Sequence, residues 1–128
     1  MSEDVIRRWH RIVESKDPSA LADLLADEVV FHSPVVHTPQ RGRELTTMYL
    51  TAALSVFGDR LRYVREIVGK CDAVLEFEAD LDGIHVNGVD LIQWNESGRI
   101  VDFKVMIRPL KAINLLHQRM AETLQAPR

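Results

Sequence analysis

The chain has 128 residues, 46% of them apolar and 27% charged, enough for one hydrophobic core without covalent staples. A net charge of −3 argues against a nucleic-acid binder, whose affinity would need a basic face. The single cysteine, Cys71, rules out an internal disulfide, and with no Cys-x-x-Cys pair a thiolate zinc site is ruled out too.

The N-terminus, Met1-Ser2-Glu3-Asp4, is acidic and lacks the apolar run of a signal peptide. No stretch approaches membrane-spanning length, so the expectation is a cytoplasmic protein without a membrane partner, built as a single domain over residues 1–128. A first helix is predicted after Ser2, with Glu3 and Asp4 at its positive end. Val5, Ile6, Trp9, Ile12 and Val13 form its apolar stripe. Asp17-Pro18 restarts a short second helix, a capping carboxylate followed by proline at the first helical position, with Leu21, Leu24 and Leu25 inside. Glu28 to Ser33 reads as a strand ended by Pro34, and Val35 to Gly42 as a loop marked by Pro39 and Gly42. Leu45, Met48, Tyr49, Ala52, Ala53 and Val56 share one face of a third helix, which Gly58 terminates.

After Gly58 the period changes from helical to strand-like. Leu61 to Val68 and Ala73 to Leu81 are strands, and the second sends Ala73, Leu75, Phe77, Ala79 and Leu81 to one face. Arg60, Arg62 and Arg65, flanked by Asp59 and Glu66, read as a solvated strand face. Asp82-Gly83 is a hairpin turn, and Asn87-Gly88 is read as a bulge or kink within the next strand. Asn95 to Gly98 turns the chain again. Val101, Phe103, Val105 and Ile107 then alternate with Asp102, Lys104, Met106 and Arg108, and Pro109 opens a closing helix with Leu110, Ile113, Leu116, Met120 and Leu124 inside. Helices gathered on one face of an antiparallel sheet make an α+β domain. A sheet curved strongly over them leaves a conical hollow, a natural small-molecule site.

Asp90 is the most informative residue. A carboxyl group in the apolar strand run Val89-Asp90-Leu91-Ile92 must be paired, protonated or facing a cavity. Beside Ile92 and Trp94 its charged form is desolvated and its pKa raised. A neutral Asp90 could donate a hydrogen bond to a ligand carbonyl; the competing reading is a structural Asp90 bonded to Trp9 or Tyr49. His32 is sent to the opposite face by strand alternation. His37, on the following loop, could fold back over the hollow as a general base, and His85 beside a turn is expected in solvent. No tight histidine motif is present, so no metal and no cofactor are expected.

Val5-Ile6-Arg7-Arg8-Trp9, the Asp17-Pro18 helix start, the run Ala26 to Val35, the Pro39-x-x-Gly42 loop and the segment Gly88 to Val101 together resemble the SnoaL-like branch of the nuclear transport factor 2-like fold. That resemblance implies a cone-shaped fold, with a curved antiparallel sheet wrapped over N-terminal helices. It also implies a homodimer through the outer sheet face, which carries Glu76, Glu78, Asp102, Lys104, Met106 and Arg108. Ketosteroid isomerase, in the same superfamily, has an aspartate base, a tyrosine on its first helix and a protonated aspartate on a later strand. By motif Asp90 falls on the protonated aspartate, Trp9 on the tyrosine and Ser33 on the base. Serine has no useful basicity at neutral pH without a partner. Epoxide-hydrolase chemistry would need an arginine two residues before Asp90, where Gly88 stands, and a second carboxylate, for which Asp102 faces away.

The reading is thus a binder of a small, largely apolar molecule. Asp90 and His37 are the candidate catalytic residues, and Trp9, Phe31, Ser33, Tyr49, Phe57, Phe77, Ile92 and Phe103 the candidate pocket wall. If catalytic, the protein is a cofactor-independent isomerase, cyclase or dehydratase acting by proton transfer near a carbonyl. The alternative is a non-catalytic ligand-binding or dimerisation module of the same fold.

Overall fold

The computed structural model describes residues 2–125, apart from the side chains of Ser2 and Glu3, so the expected cap and one expected dipole partner of the first helix lie outside the described residues, while the other, Asp4, is exposed in the first turn. Helix α1 (Ser2–Ser15) buries Val5, Ile6, Trp9 and Ile12, the stripe that the sequence period predicts. Asp17 then caps as expected, its carboxylate accepting from the Ser19 backbone N–H at 3.0 Å. What it caps is short: a 3-10 turn (Pro18–Ala20) and one α-turn, α2 (Leu21–Leu24). Leu25 is buried, but as the first residue of strand β1 (Leu25–His32), which begins three residues before the expected Glu28. Leu25, Val29 and Phe31 are among its apolar residues and end up inside, so burial overrides the helical period seen at Leu21, Leu24 and Leu25.

The segment expected to be all loop contains a two-residue strand, β2 (Gln40–Arg41), paired antiparallel to β1. Gly42, at φ 101°, turns the chain into α3 (Arg43–Phe57), and its N–H returns to the Val29 carbonyl at 2.8 Å. This helix buries Thr46, Leu50, Ala52, Val56 and Phe57; Leu45 and Met48 are only half-buried. Strands β3 (Arg62–Val68), β4 (Asp72–Leu81), β5 (Ile84–Trp94) and β6 (Ile100–Arg108) form an antiparallel meander. The sheet order is β2-β1-β6-β5-β4-β3, and β1 joins parallel to β6. A parallel pair needs a long crossover, here everything between the two strands.

Asp82 and Gly83 both have positive φ, 51° and 82°, as a tight hairpin requires. The β4–β5 ladder runs without interruption from Asp72 opposite Gln93 to Leu81 opposite Ile84, so Asn87-Gly88 is neither bulge nor kink. Gly88 serves packing instead. A Cβ there would lie 2.6 Å from Phe77 Cζ and 2.7 Å from the Met106 carbonyl. Register shifts occur elsewhere: in β3 between Tyr63 and Arg65, in β1 between Leu25 and Val30, and in β5 at Gln93/Trp94. Such irregularities increase local twist and bend a sheet. The result is an open, curved sheet that wraps α1 and α3.

Helix α4 (Leu110–Gln125) closes the structure by burying Ala112 and Leu116; Leu110, expected inside, is 71% exposed. On the outer sheet face Arg62 pairs with Glu78 and Arg65 with Glu76, the solvated strand face read from the sequence. Among the described residues no helix is long and apolar enough to cross a membrane. Gly88→Ala should destabilise the chain by about 1–3 kcal/mol in urea unfolding, because the added methyl meets a backbone carbonyl that cannot step aside.

Candidate functional site

The inner face divides into two buried clusters. One gathers Trp9, Phe31, Leu50, Leu75, Ile92 and Phe103 with their neighbours; the other gathers Phe57, Phe77, Val86 and Leu116 with theirs. Between them lies a cavity of about 320 Å³ whose lining is largely aliphatic and aromatic, at the small end of ligand sites, which span roughly 300–1,000 Å³.

Asp90 is 5% exposed and lies in this wall. Its cross-strand partners are Leu75 on β4 and Val105 on β6, so neither neighbour offers a polar group. The hydrogen bond comes from farther away. Tyr63, on edge strand β3, reaches over β4 and its hydroxyl donates to Asp90 Oδ2 at 2.6 Å. The same hydroxyl accepts from the Trp9 indole Nε1–H at 2.9 Å. Trp9, Tyr63 and Asp90 thus form one directional chain, each donor used once. Asp90 Oδ1 makes no hydrogen bond with the described residues. Although the Tyr63 ring is partly exposed, its hydroxyl lies deep. Burial, then the Asp90 charge and hydrogen bond, push the phenol well above its ordinary range. Burial pushes the Asp90 carboxyl from 3.8 up to about 7, against a downward pull from the Tyr63 hydrogen bond.

Of the residues expected in the wall, Trp9, Phe31, Ser33, Tyr49, Phe57, Phe77 and Phe103 line the cavity together with Asp90. Aromatic packing fixes them: Trp9 meets Phe103 edge-on at 5.0 Å, Phe31 stacks on Tyr49 at 5.8 Å, and Phe57 meets Phe77 edge-on at 5.8 Å. Ile92 does not line it. Two residues beyond Asp90 on the same face, it is buried in the first cluster. His37 is exposed and outside the lining, because the chain past Ser33 turns Pro34, Val35 and Val36 toward the cavity and carries His37 outward. Ser33 Oγ is engaged by the Val35 N–H at 3.0 Å. His32 lies on the outer face, its Nε2 2.9 Å from Asp102 Oδ1, so it cannot activate Ser33. His85 is exposed, near Glu78.

The sequence reading missed Tyr63 and His117. Tyr63 sits where alternation from Leu61 would place it inside, but the register shift at Val64 breaks the period and hides the signal. Asp90 bonds to this tyrosine rather than to Trp9 or Tyr49. His117, on α4, lines the cavity at its exposed mouth.

Residues 6–103 match the SnoaL-like domain family. The chain belongs to the SnoaL-like family. Among solved structures, a steroid delta-isomerase from Pseudomonas aeruginosa is 34% identical, with a TM-score of 0.92 over 96% of this chain and 90% of that one. A protein with a cystatin-like fold from Silicibacter pomeroyi is also 34% identical, with a TM-score of 0.85 over 91% and 82% of the two chains. An epoxide hydrolase/cyclase-like enzyme of pyran ring formation in polyether salinomycin shares the fold alone, at 15% identity and a TM-score of 0.69 over 84% and 90%. No curated protein matches the chain. Within the SnoaL-like family the fold hosts many functions, so activity must be argued from the site.

The raised Asp90 pKa makes stability depend on pH. An unfolded Asp90 loses its proton near 3.8, whereas the folded one keeps it to about 7. The folded state therefore holds the extra proton between these values, and stability falls as pH rises through that window. Asp90→Asn removes this component. Its stability relative to the unmodified chain should rise by roughly 3 kcal/mol between about pH 5 and about pH 8 in urea unfolding. Tyr63→Phe should move the Asp90 carboxyl titration, followed by carbon NMR, further upward, since the one hydrogen bond that favours the charged form is gone.

Proposed function

We propose that this protein binds a small, largely apolar molecule carrying a carbonyl oxygen, held by the neutral carboxyl of Asp90 in an otherwise oily cavity. One observation carries the reading: a single buried acid, oriented by Tyr63 through Oδ2, leaves Oδ1 unclaimed at an apolar wall. With its pKa at about 7, Asp90 carries a proton in much of the population at neutral pH and can donate it to a carbonyl as a hydrogen bond. The cavity itself supports a ligand. An apolar hollow open at one end favours an apolar occupant, because the occupant removes its own and the wall's apolar surface from water.

The finer step is proton transfer near that carbonyl, as an isomerase, cyclase or dehydratase performs it. The steroid delta-isomerase from Pseudomonas aeruginosa supports an isomerase chemistry through its 34% identity. The other titratable lining residues are Tyr49, Tyr63 and His117. A phenol keeps its proton at neutral pH, and His117 stands exposed on α4 whereas Asp90 is buried. Polarisation of a carbonyl by Asp90, with the counter-proton taken by water or by the ligand itself, is therefore the mechanism that this wall supports best. A non-catalytic binding module of the same fold is the second reading. It is favoured by the engaged Ser33 hydroxyl and the outward His37, which leave the cavity floor without a second proton carrier.

The test is a calorimetric binding screen with apolar cyclic ketones, steroid enones among them, followed by a search for turnover of the binders. Ketone affinity should fall about tenfold per pH unit above the Asp90 pKa of about 7, where the donor is lost. Asp90→Asn should keep most of the affinity at high pH and Asp90→Leu should lose it. Equal binding by both variants would refute the reading.

A further inference from the structure

We infer that the ligand has two polar ends: the carbonyl held at Asp90 and a second, anionic oxygen group, a carboxylate, held at the cavity mouth by His117 and Gln125. This rests on the ligand reading above and adds to it what lies at the opposite end of the molecule.

The polar groups in the cavity wall are unevenly placed. Asp90 and the Tyr63 hydroxyl lie deep, joined through Asp90 Oδ2. His117 and Gln125 lie at the exposed end, both on α4. Between them on the same helical row sits Ala121, which also lines the cavity. Residues four apart on a helix share a face and rise about 6 Å per step, so His117, Ala121 and Gln125 form a polar–small–polar row about 12 Å long. The methyl of Ala121 leaves a notch between two longer side chains. Leu116, Met120 and Leu124 flank this row and continue the apolar wall inward.

The two polar side chains of that row are unclaimed. Among the described residues neither the His117 ring nor the Gln125 amide makes a hydrogen bond, ion pair or ring contact. On the same helix Arg119 pairs with Asp82 and the Thr123 hydroxyl with the Arg119 carbonyl at 2.9 Å; the exposed Asn114, Gln118 and Glu122 are open as well, but unlike His117 and Gln125 they do not line the cavity. Both open groups offer an N–H donor, the histidine ring in either tautomer and the amide through its nitrogen. Among the described lining residues the one carboxylate is Asp90, at the far end. An acidic group leaving the hollow thus meets two donors and no lining carboxylate, while staying wet enough to remain ionised. An apolar body between the two ends fits the aromatic and aliphatic wall.

The experiment compares a phenyl-substituted cyclohexanone with the same ketone carrying a para-carboxylate on its ring, by isothermal titration calorimetry. The carboxylate should bind the unmodified chain roughly tenfold more tightly than the parent ketone, the return on a charge-assisted hydrogen bond at a wet rim. His117→Leu should erase that advantage, read as the ratio of the two ketones' affinities within each variant, while His117→Gln, which keeps an N–H donor, should retain part of it. If the parent ketone binds and the carboxylate gains nothing, or if its gain survives His117→Leu, the two-ended ligand is refuted and the carbonyl site stands. If neither ketone binds, both fall together. Asp90→Leu separates the two ends, because it should weaken both ketones alike and leave the carboxylate's relative advantage in place.

Discussion

Burying one carboxyl group in an apolar floor is the constraint around which this structure is arranged. An ionised carboxylate there is costly, and the ladder places only Leu75 and Val105 beside Asp90. The group is accommodated in two ways at once. Its pKa rises to about 7, so that near neutrality it need not be charged, and it receives one short hydrogen bond from Tyr63. That bond depends on distant parts of the chain. The tyrosine comes from the far edge of the sheet and crosses β4, and its hydroxyl is steadied in turn by an indole from the first helix. Three elements remote in sequence must therefore be in place before the acid is tolerated.

The same arrangement explains why the hollow stays open. Its wall is built of rings packed edge-on or stacked, Trp9 on Phe103, Phe31 on Tyr49, Phe57 on Phe77. Such rings hold their positions by contacts with one another and not by filling the space in front of them. Ile92 is buried in the first cluster, outside the lining. The sheet bends at its register shifts, and α4 lies across the wide end with two polar side chains on its cavity row. The site is thus graded from one buried acid to an exposed, donor-bearing rim, with oily wall between.

Much of this was legible in the chain, and the misses have identifiable causes. The stripe of Val5, Ile6, Trp9 and Ile12, the alternation of β4, and the isolated Asp90 in an apolar run were each readable because one local period ran without interruption. Leu25 was misassigned because three leucines at helical spacing happened to straddle a helix–strand junction. Asn87-Gly88 read as a bulge or kink, yet its glycine answers to the Phe77 ring and the Met106 carbonyl, neither of which is near in sequence. Tyr63 was hidden by the one irregularity in its strand. His37 looked available because a loop carries no period from which to read direction, and the backbone carried it outward.

The sequence alone determined the order of elements, the α+β class, the SnoaL-like resemblance and the presence of a carboxyl group in an apolar strand run, one that must be paired, protonated or facing a cavity. These follow from short-range periodicity and from the cost of desolvating a charge, both of which act along a few consecutive residues. Tertiary structure alone decided that Tyr63 is the partner of Asp90, that β1 joins β6 in parallel, and that His117 rather than His37 stands at the mouth. Each of those depends on how far the sheet bends and which residues meet across it. Curvature is a sum over the register shifts of several strands, and no local stretch of chain encodes that sum.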